Sequence, residues 1–164
     1  MTPLLLFGIS VALSFLAWAA VCRSFLWPRI RSLPLHEAVR PILLLHLFRF
    51  VGAAFLIPGV VGPGLSLAFA APAAYGDLVA VGLAWFALAL GRHPAARVAL
   101  WVFNVWGTLD LLFAFYQGLV GAGIQPSSLG AAFFIPTVGV PLLLCTHVIV
   151  FVLLLRAPQP DRGV

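Results

Sequence analysis

The sequence predicts an all-α, polytopic membrane bundle of five transmembrane helices in one domain, residues 1–164. Three observations predict it. The 164 residues are 63% hydrophobic and 8% charged, with a mean hydropathy of +1.16, whereas soluble domains average about 25% charged residues. The apolar residues gather into five runs, most of them near the ~20 residues that cross ~30 Å of hydrocarbon. Eight of the nine arginines fall in the breaks between runs, at the edge of a run or in the tail; only Arg49 lies deep inside one.

The first run spans about 3–21. Ala17-Trp18-Ala19 mimics a signal-peptidase site, but no positive residue precedes the run and arginines follow it. That charge order predicts a retained first helix with its N-terminus outside. The second run spans about 41–58, between Pro41 and Pro58. A third, short run spans about 75–90, with an earlier start near Ala71 as an alternative. The fourth spans about 96–119 and the fifth about 129–155, where Pro136 and Pro141 each remove an amide donor and supply a bend.

Between helices one and two lie Arg23, Arg29, Arg31 and Arg40; Arg92 and Arg97 lie between three and four, and Arg156 and Arg162 after five. The N-terminus and segments 59–74 and 120–128 carry no basic residue. Positive-inside bias then places the N-terminus outside and the C-terminus in the cytoplasm. Tyr75 and Tyr116 fall at the outer interface and Trp101 near the inner one. Segment 23–40 mixes arginines with Phe25, Leu26 and Trp27 and reads as an interfacial element. The uncharged 59–74 segment is too apolar for a solvated loop and should pack back on the bundle, with a re-entrant turn at Pro72 as one form. Lipid gives no hydrophobic drive for helix association, so small residues should mark the contacts: Gly52, Ala53, Ala54, Ala80, Ala84, Ala87 and Gly107.

Composition excludes several functions. There is no lysine, hence no Schiff-base chemistry, and the pI of 10.7 is the charge of loops rather than a nucleic-acid footprint. Cys22 and Cys145 form no CxxC or zinc spacing, so no metal site is expected, and both read as small buried residues. Ser127 and Ser128 read as a helix cap. No motif for hydrolysis, nucleotide or phosphate binding is present, which leaves enzymatic activity undecided.

The informative residues are those that should not be in lipid: Arg49, Asp77, Asn104, Asp110 and His147, with His46, Gln117 and Trp106 secondary. A charge at mid-bilayer depth costs roughly 2.5–3.5 kcal/mol on insertion scales, so each needs a partner. At 1.5 Å per residue Arg49 rises about 13 Å above Arg40, and His147 about 13 Å above Arg156. Asn104 and Asp110 rise about 10 and 20 Å above Arg97, and Asp77 about 22 Å above Arg92. The long Arg49 side chain thus reaches Asp110 or Asp77. One arginine facing two aspartates leaves a spare negative charge if both ionise, so one is protonated or a proton or cation joins the site. His147 lies at a depth to take that proton. Trp106, Asp110, Phe113 and Gln117 share one stripe of helix four, and Asn104 points roughly 120° away from Asp110 toward another neighbour. Asp77 also reads as a helix N-cap after Gly76, and Arg49–Asp110 as a structural clamp.

These residues predict a binding or transport module for a small polar solute or a proton or cation. Its pocket would lie between helices two, four and five, with 59–77 as an outward lid. Arg49 would hold an anionic or polar group, Asp77 or Asp110 would exchange a proton or cation, and His147 would relay. Two other classes compete. One is a membrane redox protein holding haem b or quinone through His46 and His147, opposed by Arg49 one turn from His46. The other is an accessory subunit of a larger membrane complex, or a homo-oligomer. Nucleic acid is not an expected partner; the lipid bilayer is.

Four fragments carry a resemblance. They are Phe48-Arg49-Phe50-Val51-Gly52; Phe69-Ala70-Ala71-Pro72-Ala73-Ala74-Tyr75-Gly76-Asp77; Asn104, Gly107 and Asp110 as N-x-x-G-x-x-D; and Ile135-Pro136-Thr137 with Val140-Pro141 and His147. Together they resemble a family of small, uncharacterised bacterial five-helix integral membrane proteins. The resemblance covers helices two to five and implies that Arg49, Asp77, Asn104, Asp110 and His147 belong to the family pattern. It implies no fixed histidine at His46. No activity is attached to that family, so no mechanism follows from it.

Overall fold

A computed structural model describes residues 2–156; Arg162, used above for orientation, lies outside the described residues. The chain is all-α, with five helices long and apolar enough to cross a membrane: α1 (Pro3–Ile30), α2 (Leu35–Leu56), α3 (Leu67–Leu90), α4 (Ala96–Gly121) and α5 (Ile135–Arg156). A 3₁₀ segment, Pro126–Phe133, precedes α5.

Each helix differs from its expected bounds for a local reason. Thr2 caps α1 by accepting from Leu5 N at 3.3 Å. The helix does not stop at Val21 but runs through a π turn, Cys22–Leu26, to Ile30. Residues 23–30 therefore continue α1 rather than forming a separate interfacial element. Their arginines turn outward: Arg29 Nη1 donates back to Phe25 O at 2.6 Å, and the Arg156 guanidinium lies 4.9 Å over the Trp27 ring. The second helix starts six residues before Pro41, with Glu37 in its first turn, where a carboxylate complements the helix dipole. Ser66 caps α3 by accepting from Ala68 N at 3.3 Å, so Pro72 lies inside a continuous helix and not in a re-entrant turn. Asp77 is consequently mid-helix and not an N-cap.

The fifth run is broken at Gly130, whose φ of +53° lies in the region that favours glycine. A Cβ there would also strike Val60 O. Pro136 then falls in the first turn of α5, where its missing donor costs nothing, and a π turn, Ile135–Gly139, follows. Residues 57–66 fold back as their apolar composition requires: Gly62 N donates to Ser128 O at 2.9 Å and Ala131 N to Val60 O at 2.8 Å.

The third helix packs between α2 and α4, and α5 touches α1, α2 and α4. Ala80, Ala84 and Ala87 of α3 are buried, as close backbone approach demands. Two apolar cores form. One gathers Ile42, Leu43, Phe103, Val150 and Leu154; the other gathers Phe7, Phe55, Phe69 and Leu129. The polar residues lie between them.

Candidate functional site

The site begins with a change of helix type. After His46 the second helix winds as a 3₁₀ helix from Leu47 to Leu56. Runs longer than 3–4 residues are uncommon. Three residues per turn eclipse side chains at i and i+3. His46, Arg49, Gly52 and Phe55 therefore form one buried column. In an α-helix Phe55 would turn about 120° away from Arg49. A second column, Leu45, Phe48, Val51 and Ala54, faces a groove.

Arg49 is 3% exposed and spends all three guanidinium nitrogens inside the protein. Nε donates to Asp77 Oδ1 at 2.6 Å and Nη2 to Asp110 Oδ2 at 2.5 Å. Nη1 donates to Gly107 O at 3.3 Å and lies 3.5 Å from His147 Nε2. One side chain thus ties α2 to α3, α4 and α5.

Asn104 and His147 set each other's chemistry. Asn104 Nδ2 donates to His147 O at 3.2 Å, which leaves Oδ1 facing His147 Nδ1 at 2.7 Å. Only a protonated Nδ1 satisfies that amide oxygen, so Nε2 presents a lone pair to Arg49. His46 Nε2 lies 2.9 Å from Thr146 Oγ1, whose hydroxyl donates to Leu143 O at 2.8 Å. The imidazole therefore donates through Nε2. Its Nδ1 is left as the one buried side-chain polar atom without a partner among the described residues.

Three glycines make room for the charges. A Cβ on Gly52 would overlap Asp77 Oδ2, and one on Gly76 would overlap Asp110 Oδ1. A Cβ on Gly107 would fall 2.5 Å from His147 Nε2 and 2.9 Å from Arg49 Nη1. Each aspartate gives one oxygen to Arg49; the other, Asp77 Oδ2 or Asp110 Oδ1, accepts no hydrogen bond from a described residue. Both aspartates line a cavity of about 50 Å³ walled by Phe7, Phe55, Phe69 and Leu129. Asp77 and Arg49 also floor a groove of about 480 Å³ between α2 and the start of α5.

Of the eight residues singled out in the sequence, five meet in this cluster, and His46 adjoins it through a 4.4 Å ring contact with His147. Asn104 does turn to a different neighbour than Asp110, as its angle on the helix predicted. The third helix joins the other three as a wall, through Asp77, where the sequence suggested helices two, four and five alone. Trp106 stays at the edge, 44% exposed, its Nε1 donating to Gly76 O at 3.3 Å. Gln117 is apart, beside Gly121. Of the 59–77 segment expected as a lid, residues 67–77 belong to α3. Sequence reasoning missed Gly52 and Gly76 as the floor of the site and Thr146 as the partner of His46. The three-residue spacing of His46, Arg49, Gly52 and Phe55 was the available signal.

Axial ligation of haem does not fit. The rings of His46 and His147 touch at 4.4 Å between centroids, and Phe103 packs on both at 5.1 and 5.3 Å. A macrocycle between two axial imidazoles needs the space those contacts fill.

Fold and site together define a five-helix all-α protein, apolar enough to cross a membrane, built around a buried Arg–Asp–Asp cluster buttressed by Asn and His. The chain belongs to the family described as Domain of unknown function (DUF8737), whose model matches residues 6–155 and so contains all five cluster residues. No curated protein and no solved structure matches it.

Proposed function

We propose that this chain is a multi-pass protein of a bacterial inner membrane that binds or transports a small polar solute, proton or cation at its carboxylate pair. Its N-terminus would face outward and its C-terminus the cytoplasm. The orientation is supported by the gathering of arginines at one end of the bundle: Arg92 contacts His36 and Glu37, Arg97 reaches Leu154 O, and Arg156 covers Trp27.

One observation carries the functional reading. Two carboxylates that line one cavity share a single guanidinium, and the second oxygen of each accepts no hydrogen bond from a described residue. Because Arg49 is fully engaged, it positions the aspartates rather than grasping an anion. The free oxygens accept, so the ligand is a proton, a cation or a hydrogen-bond donor. His147, with its Nε2 lone pair against Arg49, is a neutral acceptor that helps hold the guanidinium on the two aspartates.

Proteoliposomes carrying an internal pH dye test this. Asp110→Asn and Asp77→Asn should each abolish pH-dependent flux or binding, Arg49→Lys should impair it, and His147→Ala should slow it. Wild-type behaviour in all four would overturn the reading.

A second reading rests on the same guanidinium. A side chain that joins four helices is a structural clamp, and an accessory subunit of a larger complex needs no more. In that case Arg49→Asp combined with Asp110→Arg should restore the stability lost in either single variant.

A further inference from the structure

The groove between α2 and α5 suggests what kind of molecule reaches the carboxylates. Its walls are Leu45, Phe48, Val51, Ala54, Leu142 and Leu143, with further apolar residues from 131–140; the charged groups are at its floor, Arg49 and Asp77. Phe48 and Val51 are 65% and 47% exposed on the side of the bundle, so the groove opens laterally, where hydrocarbon would lie. The smaller cavity on the other side of Asp77 is also walled by apolar side chains. A hydrated ion has no polar lining to shed its water onto along either approach. Groove volume, about 480 Å³, falls in the range of small-molecule sites.

The floor fixes the head of the ligand. Asp77, with a side chain 9% exposed, lines both the groove and the cavity and has its Oδ2 unbonded. Asp110 lines the cavity but not the groove, on the far side of Asp77. Two carboxylates against one guanidinium leave one negative charge to be neutralised, and an anionic head at Arg49 would add to that charge rather than balance it. We infer that the groove admits, sideways from the membrane, an amphiphile with a long apolar chain and an amine head, which docks on Asp77. The inference rests on the membrane reading above and names the ligand class for that same site.

Radiolabelled tetradecylamine, with protein in zwitterionic-lipid nanodiscs and empty nanodiscs as background, provides the test. Saturable binding is expected, at least about tenfold tighter than tetradecanol or tetradecanoate, as one charge-assisted contact requires. Asp77→Asn should weaken it about tenfold or more. Gly139 lines the groove and its Cβ would meet nothing within 4 Å, so Gly139→Phe starts from open space and narrows the groove. That variant should unfold as wild type does and lose tetradecylamine. Equal binding of the three amphiphiles, equal binding of butylamine and tetradecylamine, or undiminished binding in Gly139→Phe would each overturn the inference. Absence of tetradecylamine binding while Asp110→Asn still abolishes proton-linked flux would sink the amphiphile alone; loss of both would sink the underlying reading.

Discussion

The two ends of the bundle are built differently. Around Ile42, Phe103, Val150 and Leu154 the helices are regular, and their contacts are closed by buried alanines such as Ala38, Ala84 and Ala87. Around Phe55, Phe69 and Leu129 the chain is 3₁₀ in α2, π in the first turn of α5 and broken at Gly130, whereas at the other end only α1 departs from α geometry, at Cys22–Leu26. The polar cluster lies at the border, and both cavities that touch it are walled by the irregular end. The difference teaches where irregular winding is concentrated: grooves occur at both ends, but only those beside the 3₁₀ and π windings reach the buried charges. Loose packing and unusual backbone belong together here, because a narrow 3₁₀ column and a broken helix cannot fill the volume that two α-helices would.

The sharpest way to break this comparison is to remove the border. Arg49→Met leaves two buried carboxylates uncompensated and should cost about 3–5 kcal/mol. Hydrogen exchange read helix by helix should show both ends loosening; loss confined to one end would mean the cluster does not join them. Truncation within the ends comes next. Phe103→Ala, at a fully buried ring, should cost about 3–5 kcal/mol, and Phe69→Ala distinctly less, since Phe69 already borders a cavity. Equal losses in chemical unfolding would contradict the packing difference.

A smaller effect separates crowded glycines from free ones. Gly107→Ala pushes His147 and Arg49 apart and should cost about 1–3 kcal/mol, whereas Gly139→Ala should be close to neutral. Thermal melts of the pair decide it. Smallest is Asn104→Ala, which removes both bonds to His147 and should cost about 0.6–1.7 kcal/mol, the range found for polar contacts between membrane helices. A ¹⁵N spectrum should then show His147 losing its fixed tautomer, and an unchanged imidazole signal would refute the role given to Asn104.

How far the sequence reached follows from what lipid forbids. Charges in apolar runs are rare, so Arg49, Asp77 and Asp110 announced themselves, and side-chain reach was enough to join them. The five helices were equally visible in composition. Their bounds were not. Residues 23–30 carry arginines and Pro28 and so resemble a surface segment, yet the helix continues through them by way of the π turn Cys22–Leu26. Asp77 follows a glycine and looked like a cap, although Ser66 supplies the cap eleven residues earlier. Least legible was the 3₁₀ winding of α2. The two windings use the same residues and differ little in energy, so tertiary contacts such as Arg49 with Asp77 decide between them.

That winding has an evolutionary consequence. A helix with three residues per turn is a three-sided prism, with one side carrying His46, Arg49, Gly52 and Phe55 and another Leu45, Phe48, Val51 and Ala54. Inserting or deleting one residue near Leu47 would turn the prism by a whole side and present a greasy column where the guanidinium belongs. Length changes inside this stretch are therefore tolerable only in multiples of three, a reading frame imposed by shape rather than by codons.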